Sequence, residues 1–570
     1  RSSTVSTALN TTNVIINTTG AETGVADNAA ASGDGTILVS TALTKTGTTN
    51  TTLTLNADNG IRINNTITDN STGAGKLNLT FNAKGLTSVT SSTANSFGFY
   101  TTSAMTILGN LIVSSESYRP QGSGDFVTFV GAAITAGSID ITAIAKNTST
   151  SGIGVRINSA LRSTAGDIKL TGTSTNQWGI YSDGAMTASG NFSATGTTST
   201  GTAGIQFQAG NVTSGGAMTL NGQAIAGSGS GVNLNSAVTL NGNLSMTGTA
   251  IGGQGLYTSL TGSLNNSVSG ATVSISGAST TGVGLQLQGT VTALGDMTLS
   301  GTNSSSSSQG VIIQNALSTS GNITVTGAAP TSSQRDVALT ANGGVYGSLT
   351  TTGSNKTINI NADTLLIYNS GVGNVGSKVD AGGTGSVLIQ TRTAGNQINI
   401  GGADTMATNG VTNRVLGLEA LEIAQITANT LSIGSSTAGN VTVSNAVTPS
   451  SNLQVISGGN IAINAALQAG ATGSLKNLTL SAQGSNSTVT QTAALTAAGL
   501  ELLGGNSTQT LTHTGNNFTT LAANVKTLAL NDAASGLSIG VVNSSTGLST
   551  SGNSSVAVAN GDLSVASNVV

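Results

Sequence analysis

Apolar and polar residues alternate in short bursts along this chain, and glycine frames many of the bursts. "GDIKLTG" begins at Gly166, "GNFSATG" at Gly190, "GAMTLNG" at Gly216, "GNLSMTG" at Gly242, "GATVSISG" at Gly270, "GDMTLSG" at Gly295 and "GNITVTG" at Gly321. Period-two alternation predicts strands, because successive side chains of a strand point to opposite faces. The predicted inward pairs are Ile168/Leu170, Met218/Leu220, Leu244/Met246, Met297/Leu299 and Ile323/Val325. Lys169, Thr219, Ser245, Thr298 and Thr324 between them face water. The three- and four-residue apolar spacing of a helix is rare.

The bursts recur every 24 to 28 residues, with a mean of about 26. A second strand keeps the same period: "GVRIN" at Gly154, "GIYSD" at Gly179, "GIQFQ" at Gly204, "GVNLN" at Gly231, "GLYTS" at Gly255, "GLQLQ" at Gly284 and "GVIIQ" at Gly310. Val155/Ile157, Ile205/Phe207, Val232/Leu234, Leu285/Leu287 and Val311/Ile313 point in. A third, shorter element is marked by Leu161, Met186, Val212, Val238, Val291 and Leu317. One such coil cannot bury its own apolar side chains; stacked coils can. The pattern therefore predicts an all-β fold, a parallel β-helix (β-solenoid) with triangular coils of about 26 residues. General crossover chirality makes it right-handed. About 22 coils stacked at about 4.8 Å would make an elongated rod on the order of 100 Å long. Gly, Asn and Asp at the strand ends are expected to turn the corners, since they tolerate left-handed backbone angles. Asn158, Asn235 and Asn464 are expected to stack at one corner.

Residues 1–345 read as β-helix, most regular at 98–330, and 346–570 as a continuation with more irregular coils. Irregularities are expected near 330–345 and 404–425. Pro120, Pro330 and Pro449 all sit beside turn-like residues, where none interrupts a ladder.

Composition narrows the reading. Only 6% of the 570 residues are charged, against about 25% in an ordinary globular protein. Yet 37% are hydrophobic, which excludes a disordered chain. The net charge of −3, without a basic block, gives no reason to expect nucleic acid. There are no cysteines, which removes disulfides and thiolate metal sites and suits secretion through a periplasm. No apolar run approaches the roughly 20 residues of a membrane-spanning helix. The first residues, "RSSTVSTALN", lack a signal peptide's apolar core, so the chain reads as a mature segment or a fragment. Asn-x-Ser/Thr sequons such as those at Asn10 and Asn322 are expected by chance in a chain so rich in Asn and Thr.

Candidate chemistry is sparse. The one histidine, His513, has no acidic residue nearby in sequence until Asp532, and reads as a corner residue beside Gly515. Asp167 and Asp296 follow a strand-opening glycine, where a carboxylate is expected to accept local backbone N–H bonds. Glu419 and Glu422 form the closest glutamate pair; a short helical turn or an exposed loop is preferred over an acid/base pair. Neither catalytic residues nor metal ligands are assigned, no cofactor is expected, and the chain is not expected to be an enzyme. One outward column stands out at the third position of the second strand: Tyr100, Arg156, Tyr181, Gln206, Asn233, Tyr257, Gln286 and Ile312, with one coil poorly aligned. Trp178, the only tryptophan, precedes Gly179. Outward aromatics beside amides could stack on a sugar ring or on a neighbouring rod; cross-strand pairing on a two-sided sheet is the plainer alternative.

"NLTLSAQGSNSTVTQTAALTAAGLELLGG" (477–505), "NFTTLAANVKTLALNDAASGLSIG" (517–540), "ANTLSIGSSTAGNVTVSNAVTPSSNLQVISGGNIAINAAL" (428–467) and "TLTLNADNGIRINNTI" near the start resemble the repeat regions of filamentous-haemagglutinin-like exoproteins, the large β-helical adhesins of Gram-negative bacteria. The resemblance covers roughly two-thirds of the chain. It implies an extended right-handed β-helix on the bacterial cell surface, exported through a two-partner outer-membrane route; the secretion domain of that route is not evident in the sequence. The expected function is a structural adhesin rod attaching to other cells, surface glycans or copies of itself. The alternatives are an extracellular filament or surface-layer subunit stacking end to end, and a β-helical carbohydrate-active enzyme. The last would need several carboxylates on one face of adjacent coils, where this sequence has mostly Thr, Ser, Gln and Asn.

Overall fold

The glycine-framed bursts are strands, and each pairs in parallel with its equivalent in the next coil. The computed structural model describes residues 2–18, 35–85, 97–117, 125–146, 152–305, 307–370, 375–406 and 414–570. The fold is a β-solenoid with very little helix, in two compact units, Arg1–Leu294 and Gly295–Val570. Pro120 lies outside the described residues; Pro330 and Pro449 lie outside strands.

In the first unit three ladders form three faces. The first face carries the long strands, such as Ile168–Ser174, Phe192–Thr198, Met218–Ala224 and Leu244–Ala250. The second carries Gly152–Ile157, Trp178–Ser182, Ala203–Phe207 and Ser230–Leu234. The third carries three-residue strands such as Leu161–Ser163 and Met186–Ala188. Every inward residue predicted above is at most 1% exposed. They stack in columns, as in Ile168, Phe192, Met218, Leu244 and Val273. Size is complementary within a coil: Ala194 lies two residues from Phe192, whose ring meets Phe207 of the second face edge-on at 6.0 Å. Each fully buried aliphatic contributes roughly 1.5–3 kcal/mol, so a coil is stabilised only by its neighbours.

The structure corrects the reading of the glycines. The closing Gly of the motif is not a corner residue; it lies inside the first-face strand, and its φ is not positive. Gly172, Gly196, Gly222, Gly248 and Gly277 form one column. There the first face converges on the second, and a Cβ on Gly222 would sit 2.1 Å from the Gly231 carbonyl oxygen. Glycine is required for the close approach of two backbones. Among the opening glycines, Gly270 has the left-handed φ expected of a corner, +77°, whereas Gly190 and Gly216 answer to side chains of the preceding coil. A Cβ on Gly190 would meet Asp167 Oδ1 at 2.3 Å, and one on Gly216 would meet Asn191 Oδ1 at 2.5 Å.

Those side-chain oxygens act between coils, not locally as expected. The Asn191 N–H donates to Asp167 Oδ1 at 2.7 Å, and the Ala217 N–H donates to Asn191 Oδ1 at 2.9 Å. Asp296 likewise accepts the Asn322 N–H at 2.8 Å. Asn191→Ala should therefore cost about 1 kcal/mol and speed exchange of the Ala217 amide; unchanged exchange there would show that the bond carries no load.

The Asn stack expected at Asn158, Asn235 and Asn464 also differs. Asn158 Oδ1 accepts from Arg156 Nε, and Asn235 donates to Gln208 Oε1. The asparagine ladder stands on the first face, where Asn56 donates to Asn17 at 2.7 Å and Asn82 to Asn56 at 2.8 Å.

The second unit begins in the same style, with Met297–Asn303 paired to Ile323–Ala328. A two-strand antiparallel hairpin, Ala341–Asn342 with Val345–Tyr346, projects within the first expected irregularity. Residues near 404–425 hold the strand Val415–Leu418 and the one-turn helix Ala420–Ile423. Beyond them equivalent residues Leu431, Leu453, Leu478, Leu500 and Leu521 are spaced by 21 to 25 residues. About 19 coils are seen among the described residues, against the 22 expected. Long coils account for part of the difference: the steps Leu79 to Leu111, Ile323 to Ile358 and Val387 to Leu431 are 32, 35 and 44 residues.

Candidate contact surface

The outward column of the second face is continuous through the first unit. Register places Arg62, Tyr100, Phe129, Arg156, Tyr181, Gln206, Asn233, Tyr257 and Gln286 in sequence. Phe129 fills the coil that alignment of the sequence left open. Ile312, in the second unit, registers with Ala338. The column residues are half-buried, and Gln206 is only 8% exposed.

The reason is mutual packing. Outward residues at one coil spacing are close enough for rings to stack on rings. Tyr100 and Phe129 stack at 5.1 Å, and beside them Phe97 and Phe126 stack at 4.7 Å. Phe126 and Phe129 are 4.4 Å apart at 22°. Arg62 lies over the Phe97 ring at 5.6 Å. The inner faces of these rings are occupied by one another, which leaves mainly ring edges for a ligand.

Two coils on, the chemistry becomes mixed. Trp178 precedes Tyr181 on the same strand, and their rings meet at 4.8 Å, tilted by 60°. Arg156 lies over Tyr181 at 4.9 Å, and its guanidinium is 3.5 Å from Asp183. The Tyr181 hydroxyl donates to Asp183 at 3.0 Å. Burial, then the Asp183 carboxylate, raises the Tyr181 hydroxyl above the usual phenol range. The Trp178 indole N–H donates to Gln206, Gln206 to Gln208, and Asn235 to Gln208. The Tyr257 hydroxyl donates to Gln288 at 2.8 Å, and burial raises its pKa. Asn233 Oδ1 is shielded from water without a hydrogen-bond partner.

The structure thus joins Arg156, Trp178, Tyr181 and Gln206 into one bonded cluster and puts Tyr100 in a separate aromatic tier. Phe97, Phe126, Phe129, Asp183 and Gln208 were missed from the sequence. Phe97 precedes the regular stretch, Phe126 and Phe129 belong to the one coil that was poorly aligned, and Asp183 and Gln208 sit one coil apart at a position read only as a corner. The cluster can offer hydrogen bonds, ring edges and a partly exposed guanidinium to a partner.

The other candidates resolve into structural roles. His513 Nδ1 accepts the Gly515 N–H at 3.0 Å in a turn. No cluster of three or more His, Cys, Asp or Glu side chains suited to a metal ion occurs among the described residues. Glu419 and Glu422 cap the helix Ala420–Ile423 as a reciprocal box. Among the described residues no helix is long and apolar enough to cross a membrane. No family model matches the chain, and no curated protein matches its sequence.

Proposed function

We propose that the chain is a structural exoprotein of a bacterial surface, an adhesin of the filamentous-haemagglutinin-like kind, with the second face of its first unit as contact surface. The observation that carries this reading is the continuous outward column from Arg62 to Gln286, which gathers rings, amides and arginines on an otherwise Thr- and Ser-rich exterior. Surface glycans on another cell fit this chemistry. Their hydroxyls pair with amides and a guanidinium, and their C–H faces meet aromatic groups. The adhesive work would be interfacial: stacked ladders supply stiffness, and the low charge density removes long-range repulsion.

The test is binding of the purified chain to intact cells and to an array of glycans. Trp178→Ala with Tyr181→Ala should lower affinity roughly tenfold or more, as expected for removing aromatic anchors. Far-ultraviolet circular dichroism should stay close to the parent, since both side chains lie outside the coil. The unfolding midpoint should fall modestly with loss of the ring contact and of the bonds to Gln206 and Asp183, so binding is compared well below both midpoints. Binding that persists unchanged in the double variant removes this face from the reading. Absence of binding to any cell or glycan removes the adhesin reading itself.

A further inference from the structure

The second face of the second unit is broken after the strand Leu365–Ile367, and the break is filled by side chains. In a parallel ladder alternate N–H groups point to opposite neighbours. On one side the Tyr368 N–H donates to Leu339 of the preceding coil, and the Thr364 carbonyl accepts from Val337. On the other side the N–H groups of Leu365 and Ile367 need acceptors that the next strand would normally supply. They find carboxylates. Leu365 donates to Asp404 Oδ1 at 3.3 Å and Ile367 to Glu422 Oε1 at 3.0 Å. Asp404 Oδ1 also accepts the Gly417 N–H at 2.9 Å, so one carboxylate oxygen bridges two strands, Leu365–Ile367 and Val415–Leu418. Glu422 Oε2 accepts the Glu419 N–H at 2.9 Å.

The charges around this joint are unbalanced. Arg335 Nε meets Asp404 Oδ2 at 3.0 Å and is the cation in direct contact with the pair. Arg414, which directly precedes the strand Val415–Leu418, is bonded to Asp336. Glu419 and Tyr368 line the same pocket, and Glu419 and Asp404 each add like charge to Glu422. Both joint carboxylates are buried, the Asp404 side chain at 2% exposure and Glu422 at 7%. Burial pushes Asp404 up to about 7 despite Arg335 and its N–H donors, and pushes Glu422 to about 7.

We infer that Asp404 and Glu422 form a proton-operated joint: it clasps the strand Leu365–Ile367 to the segment around Val415–Glu422 when the carboxyls are neutral, and loosens when both ionise. The direction follows from linkage. Opening the joint returns each carboxyl to water and an ordinary acid range, so the closed state holds more protons. The extra stability is complete below the open-state values, about 4, and is lost as pH rises through about 7. This joint is independent of the contact surface proposed for the first unit.

Hydrogen exchange of the whole chain tests it, after correction for the intrinsic pH dependence of exchange. Between pH ~5.5 and ~7.5 the protection of the Leu365, Ile367 and Gly417 amides should fall roughly tenfold or more. Amides of Leu431 and Leu453 in the same unit should not follow. Asp404→Asn keeps an acceptor for Leu365 and Gly417 but cannot ionise, and should remove about half of the pH dependence; Glu422→Gln should remove much of the remainder. Flat protection across this range in the unaltered protein would overturn the joint. So would a fall shared equally by Leu431 and Leu453, or a full parental pH response in Asp404→Asn.

Discussion

Gly222→Ala should destabilise the first unit by about 3 kcal/mol or more, the upper range for a methyl forced into a packed interior. The new Cβ would stand 2.1 Å from the Gly231 carbonyl oxygen and 2.6 Å from Val232 Cγ2. Both neighbours belong to a strand laddered on its two sides to Ala203–Phe207 and Leu256–Thr258. That backbone cannot retreat without breaking the hydrogen bonds of two further coils. Gly222→Val should be worse still. Because solenoid stability adds coil by coil, loss should appear as early exchange of amides in Met218–Ala224 and Ser230–Leu234, followed by a lower urea midpoint. Thr219→Ala, an outward change on the same strand, should stay within about 0.5 kcal/mol. A Gly222→Ala midpoint equal to that of Thr219→Ala would refute the close-approach account. Gly270 offers a further contrast: its φ is +77° and a methyl added there would meet nothing within 4 Å, so Gly270→Ala should cost only about 1 kcal/mol of backbone strain.

Arg414→Ala should cost about 3–5 kcal/mol in the second unit, the usual penalty for leaving one partner of a buried ion pair behind. The Arg414 and Asp336 side chains are 2% and 0% exposed and meet at 2.6 Å. Arg414 also donates to the Ala329 carbonyl at 3.0 Å, the Gln334 carbonyl at 3.2 Å and the Thr364 hydroxyl. It therefore ties the segment leading into Val415–Leu418 to two earlier coils. Asp336 would retain the N–H groups of Ala329 and Asp363 but would lose its cation. Adding Asp336→Asn to Arg414→Met should recover part of the loss, since neither charge then remains buried. By comparison, breaking the exposed Lys169–Asp140 pair with Lys169→Ala should cost less than about 1 kcal/mol. Equal midpoints for Arg414→Ala and Lys169→Ala would show that the buried pair holds nothing together.

These two sites differ in how well sequence announced them. Gly222 recurs at a fixed place in a repeated burst, so its importance was visible while its reason was not. Left-handed corners and close approach both demand glycine, and composition cannot tell them apart. Only the converging backbones decided it. Asp167 and Asp296 were misread for a related cause. A side-chain oxygen after a strand-opening glycine has a local N–H within reach and another one coil away, and stacking presents the second. Arg414 carried no signal: its partner is 78 residues distant, and no short-range pattern links them. The contact column was legible at Tyr100, Arg156, Tyr181, Gln206, Asn233, Tyr257 and Gln286 because alternation determines which side of a strand is outward. Its packing into ring tiers and an amide chain was not, since that depends on which outward residues become neighbours.

Taken alone, the amino-acid order determined the strands, their inward faces, the period and the three-sided coil, because alternation and repetition act within one turn of chain and apolar burial leaves a single arrangement that satisfies every coil. Tertiary structure decided the close approach at Gly222, the inter-coil bonds of Asp167 and Asn191, the ring tiers around Phe129, and the joint made by Asp404 and Glu422. Each of these depends on distances between residues a coil or more apart, and such distances exist only once the turns have stacked.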